Sequence, residues 1–304
     1  MPRSEFPRRD AEAIARSYVP GQGAVSIERL GSGLVNESYR VVRAGRCYSL
    51  RISLPAGEDL GLDRAWEYRV LVRAAAAGIA PLVERCKPLE GILVARWVDG
   101  RSWTPDEVRE PANIGAVALL ARRIHGLTIP EAPRRMSPAD WVSYYRNALG
   151  RRSSEGAGDP GRPPRREIEE SLAIRGAALA ALPSVPPVLC HSDLHAANLV
   201  AGEGGLRLLD WEYAHLSEAF WDLAGWSCNN DLDQEARCLL LSSYLGRAPR
   251  DEESERLEHL AWLYDYVCVL WSELFAARGG TQAGTVLARA RFLAERLSSS
   301  ARKA

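Results

Sequence analysis

Lysine is nearly missing from this 304-residue sequence: Lys87 and Lys303 are the only two, and arginine carries almost all the basic charge, as GC-rich coding would give. No lysine precedes residue 87, so a cation that grips phosphate in the N-terminal part must be a guanidinium. A charge surplus is missing too. Lys+Arg and Asp+Glu stand at 39 each, which removes the global field that draws nucleic acid or anionic membrane to a protein. No stretch approaches the roughly 18 uncharged apolar residues of a membrane span; even the segment from Leu260 to Phe275 carries Asp265 and Glu273. The beginning, MPRSEFPRRDAEAIARSYV, lacks the apolar run of a signal peptide. Cysteines 47, 86, 190, 228, 238 and 268 include no Cys-x-x-Cys pair and read as buried thiols of a reducing compartment. These absences predict a cytoplasmic protein without nucleic-acid or membrane partners. No internal repeat stands out, and no pattern encodes an oligomeric state.

What is present is ordinary in bulk and concentrated in one place. A composition of 46% hydrophobic and 26% charged residues suits a soluble globular chain with one large or two modest domains. Within it, residues 188 to 213 read VLCHSDLHAANLVAGEGGLRLLDWEY. Val188, Leu189 and Cys190 end abruptly in a polar loop, Leu199 and Val200 resume an apolar run, and Gly202, Gly204 and Gly205 supply a turn. Leu206, Leu208 and Leu209 then lead into Asp210. The pattern predicts strand, loop, strand, turn, strand.

Two carboxylates and a carboxamide are thereby expected at strand ends. A hydroxyl attacking the terminal phosphate of ATP needs an acceptor for its proton, and the phosphates need Mg²⁺, a hard cation that prefers oxygen ligands. Asp193 suits the base, and Asn198 and Asp210 suit the metal. Asn198 follows Asp193 by five residues, the spacing of the protein-kinase catalytic loop. Asp210 stands where those enzymes open their metal-binding motif, although the tripeptide is Asp210-Trp211-Glu212 and not Asp-Phe-Gly. The alternation His191, Asp193, His195 also fits a zinc site. Such a site has no use for Asn198 and Asp210 at these spacings, and only His125, His215 and His259 remain to complete it. His191 reads as a buried hydrogen-bonding residue that shapes the loop, and His195 as a neighbour of the phosphates or as filling.

HSDLHAANLV followed by LRLLDWEYA resembles the aminoglycoside phosphotransferase and choline kinase superfamily. The second histidine and the DWEYA string are most similar to thiamine kinase and related choline kinases. The resemblance implies an α+β, two-lobed protein-kinase-like fold with a small β-rich N-lobe, 1–97, and a larger, mainly helical C-lobe, 98–304. It implies ATP and Mg²⁺ as cofactors and a small-molecule alcohol as acceptor. Thiamine is the first expectation. Choline or ethanolamine is the second, because Phe220-Trp221-Asp222-Leu223-Ala224 also fits choline kinases, and aminoglycosides or other sugars come third. A catalytically silent ATP-binding module is the alternative of a different class, against which intact Asp193, Asn198 and Asp210 argue. Asp222 is expected to hydrogen-bond the catalytic-loop backbone.

The remaining expectations follow the chain. A short amphipathic helix is predicted over 10–18, then three antiparallel strands, SIERLGSG, SYRVVRAG and RCYSLRIS. Gly31, Ser32 and Gly33, with Asn36, form either a simple hairpin turn or the loop over the ATP phosphates, where glycine lets the backbone come close; the resemblance favours the second. Arg51 is a solvent-facing strand residue or the phosphate-gripping cation of the third strand. Glu67, on a helix predicted over 62–77, is its partner by resemblance or an exposed charge. Backbone groups of 95–98 are expected to meet the adenine edge. Further helices are predicted over 114–125, 141–149, 168–182, 234–244, 252–278 and 284–297. Residues 151–166, rich in Gly, Pro, Ser and Arg, are expected as a flexible surface loop. Trp262, Tyr266 and Trp271, with Asp265, Glu273 and Glu212, are read as either plain core or an aromatic, acidic pocket for a cationic acceptor.

Overall fold

A computed structural model describes residues 10–54, 60–129, 134–154, 166–279 and 281–301. The fold is α+β, with a β-rich N-terminal region and a larger, mainly helical C-terminal region. Helix α1 (Ala11–Tyr18) starts on Asp10, whose carboxylate accepts the Glu12 and Ala13 amides. The sheet that follows has the order β1 (Val25–Ser32), β2 (Asn36–Arg43), β3 (Arg46–Ser53), β5 (Ile92–Arg96), β4 (Val83–Lys87), antiparallel throughout. Ala44 and Gly45, at φ 50° and 72°, make the two-residue turn that the twist of a hairpin prefers. β1 continues through Gly31 and Ser32, so the first turn is Gly33-Leu34-Val35, shorter than expected.

Tyr48, Leu50 and Ile52 alternate along β3 and pack with Val41, Ile92 and Val94 beneath Ala15 and Val19 of α1. The other face of the sheet takes α2 (Arg64–Ala76), begun by Asp63, which accepts the Trp66 amide at 2.9 Å. Trp66, Val70 and Ala74 recur at helical spacing and bury α2. Trp66 also donates its indole N–H to Ala214 O at 2.7 Å, joining α2 to the catalytic segment.

The helical part contains α3 (Pro111–His125), α4 (Pro138–Ser154), α5 (Arg166–Ala181), α6 (Phe220–Asn229), α7 (Gln234–Leu245), α8 (Asp251–Ala276) and α9 (Ala283–Ala301). Of the loop expected over 151–166, residues 151–154 belong instead to α4, whose C-terminal arginines suit the helix dipole, and Arg166 already starts α5; 155–165 lie outside the described residues. Between α5 and α6 run β6 (Val188–Cys190), β7 (Leu199–Gly202), β8 (Gly205–Leu208) and β9 (His215–Ser217), paired β7 with β8 and β6 with β9. Gly202 permits a close approach here: a Cβ would lie 2.2 Å from Asp99 O. The chain leaving the sheet is thereby clamped to the β7–β8 hairpin, with Arg101 and Ala201 exchanging backbone hydrogen bonds.

Candidate active site

Because side chains alternate along a strand, Arg51 points away from the α1 side of β3 and toward α2. Its Nη2 lies 2.5 Å from Glu67 Oε1, a close ionic contact without hydrogen-bond alignment at that oxygen, and its Nη1 donates to Asp210 Oδ1 at 2.7 Å. Burial works against the guanidinium, yet Glu67, Asp210 and Glu212 outweigh it and hold the Arg51 pKa above its ordinary value. Arg64, in the first turn of α2, completes the network. Its Nη1 donates to Glu67 Oε2 (2.9 Å) and Glu212 Oε2 (2.7 Å), and its Nη2 to Asn36 Oδ1 (2.9 Å). Asn36 Nδ2 donates to Glu212 Oε2 at 2.7 Å. Three carboxylates thus share two guanidiniums. Burial, with Asp210 close by, pushes the Glu212 carboxyl up to about 7, and burial raises Asp210 as well. The surplus negative charge sits where a cation would relieve it.

The loop after β6 hangs from Asp222, which is fully buried in the first turn of α6. Asp222 accepts the His191 amide (2.9 Å) and the Ser192 amide (2.7 Å), and His125 Nε2 lies 3.2 Å from the same carboxylate. These bonds hold Ser192 at φ 69°, a conformation that a non-glycine residue keeps only under constraint. His191 is buried; its Nε2–H donates to Leu209 O (2.9 Å), and its Nδ1 accepts the Asp193 amide (3.3 Å). Burial lowers the His191 pKa, in keeping with a neutral ring.

Asn198 Nδ2 donates to both Asp193 O and Asp193 Oδ2 at 3.0 Å, which turns its carboxamide oxygen away from that carboxylate. His195 Nδ1 accepts the Ala197 amide, leaving Nε2 3.4 Å from Asp193 Oδ2. Burial pushes the Asp193 carboxyl up, but the charge and hydrogen bond of His195, helped by His191 and Asn198, hold it down at about 2. His195 is correspondingly raised, Asp193 outweighing its burial. Asp210 adopts φ 58°, ψ 65°, which turns the chain sharply into the Trp211–Tyr213 helical turn.

These groups border one cleft of about 890 Å³. Gly33, Asn36 and Ser38 line it from the sheet region, with Asp193, His195, Asn198, Asp210 and Glu212; Trp103, Trp141, Tyr145, Tyr213, Trp221, Tyr264 and Trp271 supply its aromatic wall. Arg51, Glu67, His191 and Asp222 support it from behind. Gly31 and Ser32, expected in the phosphate loop, are the last two residues of β1. The Arg96 and Trp97 amides, expected near adenine, are already bonded to Leu82 O and Cys47 O.

Four residues expected in the pocket, Trp262, Asp265, Tyr266 and Glu273, do not border it. Trp262 packs against Tyr266 under the Arg175 guanidinium, Tyr266 donates to Glu169, and Asp265 accepts two bonds from Arg296. The reason is helical phase: Tyr264, Cys268 and Trp271 share the cleft face of α8, while Trp262 and Tyr266 turn to α5 and Asp265 to α9. Arg64 and the aromatics Trp103, Trp141, Tyr145 and Tyr264 are site residues that sequence reasoning missed. For Arg64 a signal existed, its position three residues before Glu67. For Trp141 none did.

The fold and this cluster are those of a two-lobed, kinase-like protein. The chain belongs to the phosphotransferase enzyme family, whose model matches residues 26–260. It is similar to ethanolamine kinase 2 of Mus musculus, 29% identical over 168 residues, which cover 54% of this chain and 42% of the relative. It is also similar to a probable ethanolamine kinase of Arabidopsis thaliana, 23% identical over 256 residues, 75% of this chain and 65% of that one. The chain therefore spans less than two thirds of the length of either curated relative. Among solved structures, a choline/ethanolamine kinase family protein of Mesorhizobium loti shares the fold with a TM-score of 0.73 at 24% identity, covering 97% of this chain and 99% of that one.

Proposed function

We propose that the protein is a kinase that transfers the γ-phosphate of ATP to the hydroxyl of a small amino alcohol of the ethanolamine or choline class. The observation that carries this reading is the shared cleft, which Asp193 and Glu212 line together with seven aromatic side chains. Aromatic faces and carboxylates attract an ammonium group. Thiamine, the first expectation from the sequence, gives way because the curated relatives are an ethanolamine kinase and a probable ethanolamine kinase.

In this reading Asp193 accepts the hydroxyl proton. Held at about 2, its carboxylate is ionised at neutral pH and takes the proton only late, as the oxygen is already bonding to phosphorus. Asn198 fixes that carboxylate. Arg51, expected to grip the phosphates directly, is clamped by Glu67 behind the cleft and acts in this reading through the Asp210 carboxylate it holds. Asn198 Oδ1 and the Asp210 carboxylate are oxygen donors beside surplus negative charge, a set that fits Mg²⁺. Once bound, the ion would neutralise phosphate charge.

The test is Mg²⁺-dependent ADP release with ethanolamine, choline, thiamine and several aminoglycosides, for wild type and Asp193→Asn. Turnover with ethanolamine or choline that drops at least about a hundredfold in the variant, with ATP affinity kept, is the expected result. Stimulation by thiamine or an aminoglycoside alone would overturn the acceptor class, and ATP binding without turnover would make the protein a silent module.

A further inference from the structure

The lip of the cleft beyond the aromatic wall carries two guanidiniums. Arg289 of α9 donates through Nη2 to Asn229 Oδ1 at 3.1 Å, and Arg109 donates through Nη2 to Asn230 O at 3.1 Å. Consecutive residues at the end of α6 therefore hold both. Asn229 Nδ2 reaches the carbonyl of Leu194 at 3.4 Å, and Leu194 directly follows Asp193. One side chain thus separates the Arg289 guanidinium from the loop that carries the base.

Neither arginine meets a carboxylate within ion-pair distance among the described residues. Arg296, two turns further along α9, shows the contrast: it holds Asp231 at 2.8 Å and Asp265 at 2.6 Å. Thr285, Val286 and Arg289 all turn to the cleft, at the three- and four-residue spacing of one helix face. This face lies past residue 260, where the family match ends. Asp231, which also borders the cleft, is taken by Arg296, and Arg109 bonds otherwise only to the Pro105 carbonyl, so both exposed guanidiniums keep donors for an anionic group in the cavity; a guanidinium binds carboxylate or phosphate oxygens in pairs.

We propose that the acceptor is a zwitterion: an amino alcohol that also bears a carboxylate or phosphate, received by Arg289 and Arg109. The inference rests on the reading of the site as an amino-alcohol kinase and narrows it. The ammonium group takes the aromatic and acidic side, the anion takes the α9 side, and the hydroxyl meets Asp193. In the reaction the acceptor oxygen bonds to the γ-phosphorus while the bond from that phosphorus to the bridging oxygen breaks. ADP leaves with the electron pair, and the hydroxyl proton passes to Asp193.

Matched acceptors that differ only by a carboxylate test this directly: ethanolamine against L-serine, 3-aminopropanol against L-homoserine, and 5-aminopentanol against 6-hydroxynorleucine. ADP release would be measured for wild type, Arg289→Gln and Arg109→Gln, with ATP binding followed by calorimetry. In at least one pair the carboxylate member is expected to show kcat/KM about tenfold or more above its partner, and Arg289→Gln to erase that preference through acceptor KM. Preference for the amine-only members, or an equal effect of Arg289→Gln on both members, overturns the inference and leaves the amino-alcohol kinase standing. Weakened ATP binding with unchanged acceptor KM assigns the guanidinium to the nucleotide, which also overturns it. Absence of turnover with every member while ATP binds removes the amino-alcohol reading on which the inference rests.

Discussion

Arg64 Nη1 donates to Glu212 Oε2 at 2.7 Å, joining the first turn of α2 to the turn that follows Asp210. Both side chains are largely shielded from water, at 16% and 4% exposure, so neither charge is comfortable without the other. A double-mutant cycle of Arg64→Ala and Glu212→Gln in chemical denaturation should show this. Arg64→Ala alone is expected to cost about 3 kcal/mol, because it leaves three buried carboxylates to share the single guanidinium of Arg51, and the coupling energy should exceed about 1 kcal/mol. A coupling near zero would mean that the network does not act as a unit.

His215 provides a pH dependence with a defined sign. Its ring is fully buried; it accepts the Trp141 indole N–H at Nε2 (3.2 Å) and donates from Nδ1 to Tyr213 O (2.7 Å), a pattern that requires the neutral form. Burial lowers its pKa to about 4 from an ordinary 6.5. As pH falls, the unfolded chain takes up the proton first, so stability is intact above about 6.5 and is lost progressively toward about 4. The loss at about pH 5 is on the order of 2 kcal/mol. Urea unfolding of wild type and His215→Asn at about pH 7.5 and pH 5 reads it out. The variant, weaker throughout, should lose about 2 kcal/mol less across that interval; parallel losses would place the acid sensitivity elsewhere.

Local chemistry was legible in the sequence, and the facing of helices was not. The run from Val188 to Asp210 announced its strands because apolar stretches break at polar loops and glycines, and its polar residues meet in space because the hairpin of β7 and β8 is short. Arg51 and Glu67 could be paired by resemblance to kinases, and the structure brings them within 2.5 Å. α8 behaves differently. It packs against α4, α5, α6 and α9, so it is apolar on nearly all sides and carries no stripe to say which face meets the cleft. Trp262 and Trp271 are therefore indistinguishable by pattern. Trp141 and Tyr145 reach the aromatic wall from a helix far away in the chain, a contact set by tertiary packing alone.

That ambiguity is open to mutation. Trp271 borders the cleft and donates to the Tyr213 hydroxyl at 2.6 Å, whereas Trp262 is buried away from it. Trp271→Ala should raise acceptor KM about tenfold with little change in ATP KM, as expected for a lost ring face worth about 1 kcal/mol or more to a cation. Trp262→Ala should instead lower stability by about 3 kcal/mol or more and leave acceptor KM unchanged below the melting transition. Reversed phenotypes would show that α8 presents its other face to substrate.

Asp222 holds the backbone of the loop that carries Asp193 without bordering the cleft itself. Asp222→Ala leaves the His191 and Ser192 amides buried without an acceptor, at about 1–3 kcal/mol for each unsatisfied group, and it releases the constraint on Ser192. Asp193 is the next residue, so its carboxylate should lose alignment with the acceptor hydroxyl. We expect stability to fall by about 2–5 kcal/mol and kcat by about a hundredfold, with ATP affinity preserved because Arg51, Glu67 and Arg64 are anchored independently. Asp222→Asn keeps one acceptor oxygen and should be intermediate in both respects. Denaturation, kcat and calorimetric ATP binding on the same samples separate the effects. If kcat fell without any loss of stability, Asp222 would be acting on the chemistry directly and not through the backbone it holds.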